Sequence, residues 1–236
     1  MEKLETPGSI AIYLDADLYF FSSPNLVIND LGSESVGIIE HRYPDNVAAN
    51  LAKYGRFNVG WVGFRDDDAG RAVLDWYSDR TLEWCSDKPE ADKYADQGYL
   101  NSFPNFPGVK ILESAGFNLA PWNTRRHRTT QLGGSVFADG QMLIFFHFHG
   151  LRKVGPWFTS SQLTYGSPMN SVLRNGVYQP YVNALARMDG LLQNDVSLQK
   201  RAKKRGNGLI GFVSRLWISS LILIAVASRN ALRPNA

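Results

Sequence analysis

Two carboxylates, Asp15 and Asp17, follow an uninterrupted apolar run of strand length, residues 9–14. Such a run is typical of a buried central strand, because both faces of that kind of strand are covered. Ligands of open α/β sheets bind at the carboxyl ends of the strands, where these aspartates would lie. Two neighbouring carboxylates repel each other, and a bound Mg²⁺ or Mn²⁺ would relieve that repulsion. The pair therefore predicts a divalent-metal site, with a solvated turn as the alternative interpretation.

A second candidate is His147-Phe148-His149, at the end of another apolar run. The period-two alternation of a strand places both imidazoles on one face. A neutral imidazole could complete a metal shell begun by carboxylates, and a mixed nitrogen and oxygen set favours Mn²⁺ over Mg²⁺. We expect His147 to be the ligand and His149 to pack. Downstream, Gly150 permits close backbone approach and Lys153 offers a point charge for phosphate.

Two further groups could recognise a sugar. Asp96 and Gln97 are adjacent, and an acid beside an amide can hydrogen-bond sugar hydroxyls; the alternative is an acid that interacts with a helix dipole. In residues 116–123, Trp122 could supply an apolar platform for a sugar ring, with the asparagines as donors. The alternative for that segment is a loop packed by its own aromatic residues.

Taken together, these motifs resemble those of nucleotide-sugar glycosyltransferases of the GT-A fold, and they follow the family's order. The chain is most similar to the glycogenin-like and bacterial lipopolysaccharide galactosyltransferase group, over residues 8–158. The resemblance rests on five stretches: Y-L-D-A-D from Tyr13, F-N-V-G from Phe57, A-D-Q-G-Y-L-N from Ala95, G-F-N-L-A-P-W-N from Gly116 and H-F-H-G-L-R-K from His147. It implies an α/β fold with a GT-A-like mixed sheet flanked by helices.

The resemblance also implies roles for individual residues. Asp15 and Asp17 would hold Mn²⁺, or Mg²⁺, on the donor diphosphate, and His147 would be the third metal ligand. The remaining cofactor-binding residues would be Ala16, Gly60, Gly150 and Lys153. The residues expected near the reacting sugar carbon and the acceptor, and assigned to catalysis, are Asn58, Asp96 and Gln97.

The implied function is metal-dependent transfer of a sugar from a nucleotide-diphosphate donor, expected to be a UDP-sugar. The acceptor would be a saccharide, a glycolipid or a protein. The metal and Lys153 would neutralise the negative charge that develops on the leaving diphosphate. Two other interpretations stay open: an inactive or fragmentary relative that acts as a membrane-associated carbohydrate-binding or scaffold protein, and a metal-dependent hydrolase.

One feature departs from the family pattern. Only residues 1–8 precede the first predicted strand, where the family has the first βαβ portion, which binds the nucleoside. We expect the chain to be a fragment; supply of that portion by another chain and an inactive descendant are the alternatives. Loss of those strands would expose a sheet edge.

The predicted elements alternate between strands and helices, which favours an α/β sandwich. The predicted strands are 36–40, 57–64, 109–112 and 141–148, and the predicted helices are 69–85, 94–102 and 174–192, the last interrupted at Pro180. We divide the chain into a partial GT-A-like domain (1–158), a helical extension (159–199) and a basic, apolar tail (200–236).

Composition bounds the alternatives. With 44% hydrophobic and 20% charged residues, the chain is neither disordered nor a coiled coil. The single cysteine, Cys85, excludes an internal disulfide framework, and we interpret it as a packing residue. Eight basic and no acidic residues lie from Lys200 onward, so residues 1–199 hold 17 basic and 22 acidic residues, a net charge of −5. This balance argues against nucleic-acid binding by the body.

The C-terminal tail predicts a membrane-surface helix. A spanning helix needs about 20 mostly apolar residues, and residues 209–227 supply 19 only if Arg215 is included, near their middle. The basic cluster at 200–205 would add attraction to anionic lipid. We therefore expect a cytoplasmic protein that is peripheral at the membrane, with a buried core helix or a frayed terminus as the alternatives.

Overall fold

A computed structural model describes residues 7–88, 94–193 and 222–235. The chain divides into two compact units, Met1–His149 and Gly150–Ala236. Both belong to a mixed α/β fold with several small sheets.

Among its described residues, the first unit has nine strands: β1 (Ile10–Leu14), β2 (Leu18–Phe20), β3 (Val36–Glu40), β4 (Phe57–Arg65), β5 (Val109–Ile111), β6 (Thr129–Leu132), β7 (Ser135–Ala138), β8 (Gln141–Met142) and β9 (Phe145–His147). Its described α-helices are α1 (Asn25–Leu31), α2 (Ala49–Tyr54) and α3 (Asp68–Glu83). It also has 3₁₀ turns at Asp45–Val47 and Gln97–Asn105.

The principal sheet has the order β1-β4-β3-β5. β4 is antiparallel to both of its neighbours, whereas β3 and β5 are parallel. Because side chains alternate along a strand, β4 supplies Trp61 to the core on one side of the sheet and Val62 to the core on the other. Gly63 keeps space for the Trp61 ring, since a Cβ there would lie 2.8 Å from it.

Helices and turns cover both faces of this sheet. On one side, Val27 and Leu31 of α1 pack with Trp61 and Phe145. On the other, Val73 of α3 joins the 3₁₀ turn Gln97–Asn105, whose buried members are Leu100 and Phe103. The sheet is therefore packed on both faces, and the segments that leave its strand ends start from this packed layer.

The prediction of a buried central strand at residues 9–14 is wrong. β1 is the outermost strand of the sheet among the residues that the structure describes, with β4 as its single partner. Ile10 and Ile12 pack against the core, but Tyr13 and Leu14 are 48% and 45% exposed. A continuous apolar run records which residue types are present and not how many of the strand's edges are paired.

Other predicted elements need smaller corrections. The helix expected at 69–85 is confirmed as α3, and it begins at an N-cap, Asp67, whose carboxylate accepts a hydrogen bond from Gly70 N at 2.7 Å. The helix expected at 94–102 is instead a 3₁₀ turn. The single strand expected at 141–148 is two strands with different partners, β8 with β7 and β9 with β2. They separate where Ile144 N donates to Gly116 O, which pulls the backbone out of the ladder.

The second unit combines a small sheet with helices. β10 (Arg152–Val154), β11 (Trp157–Thr159) and β12 (Ala231–Leu232) form an antiparallel sheet. A π-helical segment, Leu173–Tyr178, leads into α4 (Gln179–Gln193), and Pro180 is accommodated in the first turn of α4. Residues 222–227 are also helical.

Most of the predicted membrane-surface helix, together with the basic cluster before it, lies outside the described residues. Within residues 7–88, 94–193 and 222–235, no helix is both long and apolar enough to cross a bilayer. The end of the predicted tail forms β12, and Ala231 and Leu232 are buried against the rest of their unit.

Candidate metal centre

The Asp15–Asp17 turn is held at the end of β1 by backbone hydrogen bonds. Asp15 N donates to Gly60 O at 3.0 Å, and Leu18 N donates back to Asp15 O at 3.2 Å, which closes the turn before β2. Ala16 is exposed at its tip. Tyr13 Oη donates to Asp15 Oδ1 at 2.9 Å, and burial, with this hydrogen bond, raises the pKa of Tyr13 to about 12. Tyr13 therefore stays a donor and orients the Asp15 carboxylate.

Strand β9 brings His147 to the same point. β2 and β9 are antiparallel with Leu18 opposite His147, and Phe148 N donates to Asp17 O at 2.9 Å. His147 Nε2 consequently lies 3.0 Å from Asp17 Oδ1 and 3.6 Å from Asp15 Oδ2. The imidazole itself is 3% exposed. The structure therefore brings together the three residues that were expected to bind metal.

These separations fit a divalent cation. Metal–nitrogen and metal–oxygen bonds of about 2.0–2.2 Å place neighbouring ligand atoms roughly 3 Å apart. Both distances from His147 Nε2 are close to this value. Asp17, His147 and His149 each offer a ligand atom, and these three atoms all lie within 4.8 Å of one another. Asp17 and His149 are accessible to solvent, so an ion could enter.

Asn58 sets the tautomer of His147. Its Oδ1 lies 3.2 Å from His147 Nδ1, and the same oxygen accepts from Gly60 N at 3.2 Å and from Asn118 Nδ2 at 3.0 Å. Because Gly60 N can only donate, the amide orientation of Asn58 follows from the backbone. His147 Nδ1 must then carry a proton, so Nε2 is the nitrogen that faces the carboxylates and that could ligate a metal once it is deprotonated.

A second backbone group fixes the next member of the network. Gln97 Oε1 accepts from Val59 N at 3.2 Å and from Asn58 Nδ2 at 3.0 Å, and Gln97 Nε2 donates to Tyr54 O at 2.9 Å. Asn58 and Gln97 are both buried. The hydrogen bonds of both amides are made to protein atoms around His147. Their assignment to catalysis stays a prediction.

The network also contains a residue that sequence reasoning missed. His41 Nδ1 lies 3.1 Å from Gly55 O and Nε2 lies 3.4 Å from Asn58 Nδ2, an arrangement that suits a neutral ring. Burial lowers the pKa of His41 to about 3, despite nearby backbone carbonyls that oppose the shift. The strand predicted at residues 36–40, directly before His41, is confirmed as β3. Nothing in the sequence, however, connects His41 to His147.

The surroundings shift the pKa values of Asp17, Asp96 and His149 in different directions. Burial opposes ionisation of Asp17, but the His147 hydrogen bond and charge outweigh it, so the pKa of Asp17 is lowered. Burial and the charge of Asp15 raise the pKa of Asp96, although hydrogen bonds oppose the shift. Burial and the neighbouring His147 lower the pKa of His149, which favours its neutral, ligating form.

Trp122 supports the histidines and is not an open sugar platform. It is 3% exposed, and its Nε1 donates to His41 O at 2.9 Å. Its ring lies 5.0 Å from the His147 ring and 5.7 Å from the His149 ring, edge-on to both. The platform interpretation is therefore wrong, and the alternative, a loop packed by its own aromatic residue, is confirmed.

The other expected cofactor residues have local structural roles. Gly60 leaves space for the network, since a Cβ there would lie 2.6 Å from Asn58 Oδ1 and 2.8 Å from the His147 ring. Gly150 and Lys153 belong to the second unit. Gly150 has a φ of 72° and lies against Ser161, and Lys153 forms an ion pair with Asp189. Their expected phosphate contacts stay predictions.

Comparison with known proteins gives two similar chains from Bacillus subtilis (strain 168). Uncharacterized protein YfnF is 34% identical over 150 residues, which are 60% of this chain and 50% of YfnF. Uncharacterized protein YfnD is 34% identical over 146 residues, 60% of this chain and 47% of YfnD. The chain thus spans about half the length of these relatives. No family model and no solved structure matches it.

Proposed function

We propose that this protein is a metal-dependent glycosyltransferase of the GT-A type, with its donor-diphosphate metal site at Asp15, Asp17 and His147. The observation that carries the proposal is the approach of His147 Nε2 to Asp17 at 3.0 Å and to Asp15 at 3.6 Å. Asp17 and His147 are 130 residues apart in sequence. Shared ligation of one ion would explain why the fold brings them together with Nε2 of His147 facing the carboxylates.

Each residue of the site has a definite chemical task in this proposal. Asp15 and Asp17 supply oxygen ligands, and His147 supplies nitrogen through Nε2, the nitrogen opposite its Asn58 hydrogen bond. Bound there, Mn²⁺ or Mg²⁺ would act as a Lewis acid that stabilises the charge of the leaving nucleoside diphosphate. Asp96, whose pKa is raised, is the acid proposed to lie near the donor sugar. Lys153 is the proposed phosphate contact.

The proposed donor is a UDP-sugar, and the proposed acceptor is a saccharide, a glycolipid or a protein. This part of the proposal rests on the resemblance of the five motifs to the glycogenin-like group. We also propose that the residues around Lys200–Arg205 attach the protein peripherally to anionic membrane.

The test is calorimetric titration of UDP into the full chain with Mn²⁺ and again with EDTA. We expect binding with Mn²⁺ and none with EDTA. Asp15→Ala/Asp17→Ala should abolish it, whereas the matched double variant Asp75→Ala/Asp79→Ala, which removes two carboxylates from α3, should not. UDP binding that is equal in EDTA, or that survives loss of both aspartates, would contradict the proposal.

Two results would favour the other functional classes. Saccharide binding that needs neither metal nor UDP would support a carbohydrate-binding or scaffold protein. Release of free sugar without any acceptor would support a hydrolase that uses the same ligands. For the membrane, replacing the five basic residues of 200–205 with glutamine should release the protein from anionic vesicles; this variant keeps β12, which a deletion would remove. Unchanged sedimentation with the vesicles would refute surface attachment.

A further inference from the structure

We infer that His149 is a second imidazole ligand of this metal, so that the centre is a two-histidine, carboxylate site selective for transition-metal ions. The inference rests on the proposed function and deepens it. Its basis is the cluster of Asp17, His147 and His149, whose ligand atoms all lie within 4.8 Å of one another. It replaces the expectation that His149 only packs.

The backbone explains why both rings reach one point. β9 ends at His147, and His149 lies in the turn that follows it. Phe148 is buried and packs 4.6 Å from the Phe146 ring. The hydrogen bond from Phe148 N to Asp17 O ties this segment to the aspartate turn. His149 therefore directly follows a residue whose backbone is bonded to Asp17.

Neighbouring rings restrict His149 further. Its ring lies 6.1 Å from the His147 ring at an interplanar angle of 77°. The buried Trp122 ring is edge-on to both histidines, at 5.0 and 5.7 Å. Two nearly perpendicular imidazoles beside one indole present their nitrogens to a common space, while the exposure of His149 leaves that space open to an entering ion.

Ligand chemistry then predicts which ion is selected. Imidazole nitrogen suits Zn²⁺, Ni²⁺, Cu²⁺ and iron, whereas oxygen ligands suit Mg²⁺, Ca²⁺ and Mn²⁺. Mn²⁺ is nevertheless a first-row transition ion, and the affinity of such ions for a given site rises from Mn²⁺ to Co²⁺. One histidine beside two carboxylates would discriminate weakly between Mn²⁺ and Mg²⁺. A second histidine increases the preference for the transition metal. Loss of His149 should therefore weaken Mn²⁺ and Co²⁺ binding much more than Mg²⁺ binding.

The experiment compares metal binding by the full-length wild type, His149→Ala and His147→Ala, using Mn²⁺, Co²⁺ and Mg²⁺ alone. His127→Gln is the matched control, because it removes a histidine that pairs with Asp139 outside the cluster. Thermal melts verify that each variant folds. We expect His149→Ala to lose about 10-fold or more in Mn²⁺ affinity, since even outer-shell partners cost 10–100-fold. Mg²⁺ affinity should change little.

A spectroscopic count of ligands completes the test. Pulsed electron paramagnetic resonance of bound Mn²⁺ should detect two imidazole nitrogens in the wild type and one in His149→Ala. Unchanged Mn²⁺ affinity and a single nitrogen in both proteins would overturn the role of His149, while the Asp15, Asp17 and His147 site would stand. Wild-type protein that binds no metal would overturn both. Two nitrogens without any binding of UDP would support His149 and contradict the proposed function.

Discussion

Replacing Asn58 tests whether the buried amide network controls His147, the proposed metal ligand. Asn58→Leu keeps a side chain of similar shape but removes every hydrogen bond of the amide. Three groups then lose their acceptor: Gly60 N, Asn118 Nδ2 and His147 Nδ1. A buried donor left unsatisfied costs about 1–3 kcal/mol, so the free energy of unfolding should fall by about 3 kcal/mol or more.

The same substitution should weaken metal binding. Without an acceptor at Nδ1, nothing forces the His147 proton onto that nitrogen, and the Nε2 lone pair is no longer aimed at the carboxylates. Removal of such an outer-shell partner costs about 10–100-fold in metal affinity. Calorimetric titration with Mn²⁺ measures the loss, and ¹⁵N NMR of the histidine side chains reports the tautomer directly.

Asn58→Asp is the matched control. It retains an acceptor toward His147 Nδ1 and loses the Nδ2 donor to Gln97, whose oxygen still accepts from Val59 N. Mn²⁺ affinity should therefore survive better in Asn58→Asp than in Asn58→Leu. Wild-type Mn²⁺ affinity in a folded Asn58→Leu variant would refute the argument, as would an unchanged His147 tautomer.

Three further predictions follow from individual residues. His41 has a folded-state pKa of about 3, so protonation favours the unfolded chain: stability is full above about pH 6.5 and falls by up to about 1.4 kcal/mol per unit below it. His41→Gln should flatten that slope in denaturant titrations at several pH values, and an identical slope would exclude His41 as its source. Gly60→Ala should displace Asn58 and His147 and weaken Mn²⁺ binding, whereas Gly190→Ala, with open space at its Cβ, should not; equal titrations would contradict this. Asp67→Ala removes the α3 N-cap and should cost about 1 kcal/mol in urea unfolding, with no change refuting the capping role.

Local patterns in the sequence determined a large part of the first unit. The predicted strand at 57–64 is β4, because apolar residues on both faces are typical of a central strand. The predicted helix at 69–85 is α3, because an aspartate N-cap precedes residues with helical periodicity. The aspartate pair and His147 were also identifiable, since carboxylates and imidazole after apolar runs indicate strand-end ligands. The hairpin of β6 and β7 was missed, although Gly133 and Gly134 are a turn signal.

Only the tertiary structure decided which residues surround the proposed metal ligands. His41, Asn58, Gln97 and Asn118 are far apart in sequence, and no local pattern shows that folding joins them by hydrogen bonds around His147. Trp122 was wrongly expected to be open, because composition does not reveal that His147 and His149 pack against its ring. The edge position of β1 was missed for the same reason. Residue types and spacing carry the chemistry of a site, whereas strand pairing and burial depend on long-range contacts that no local pattern encodes.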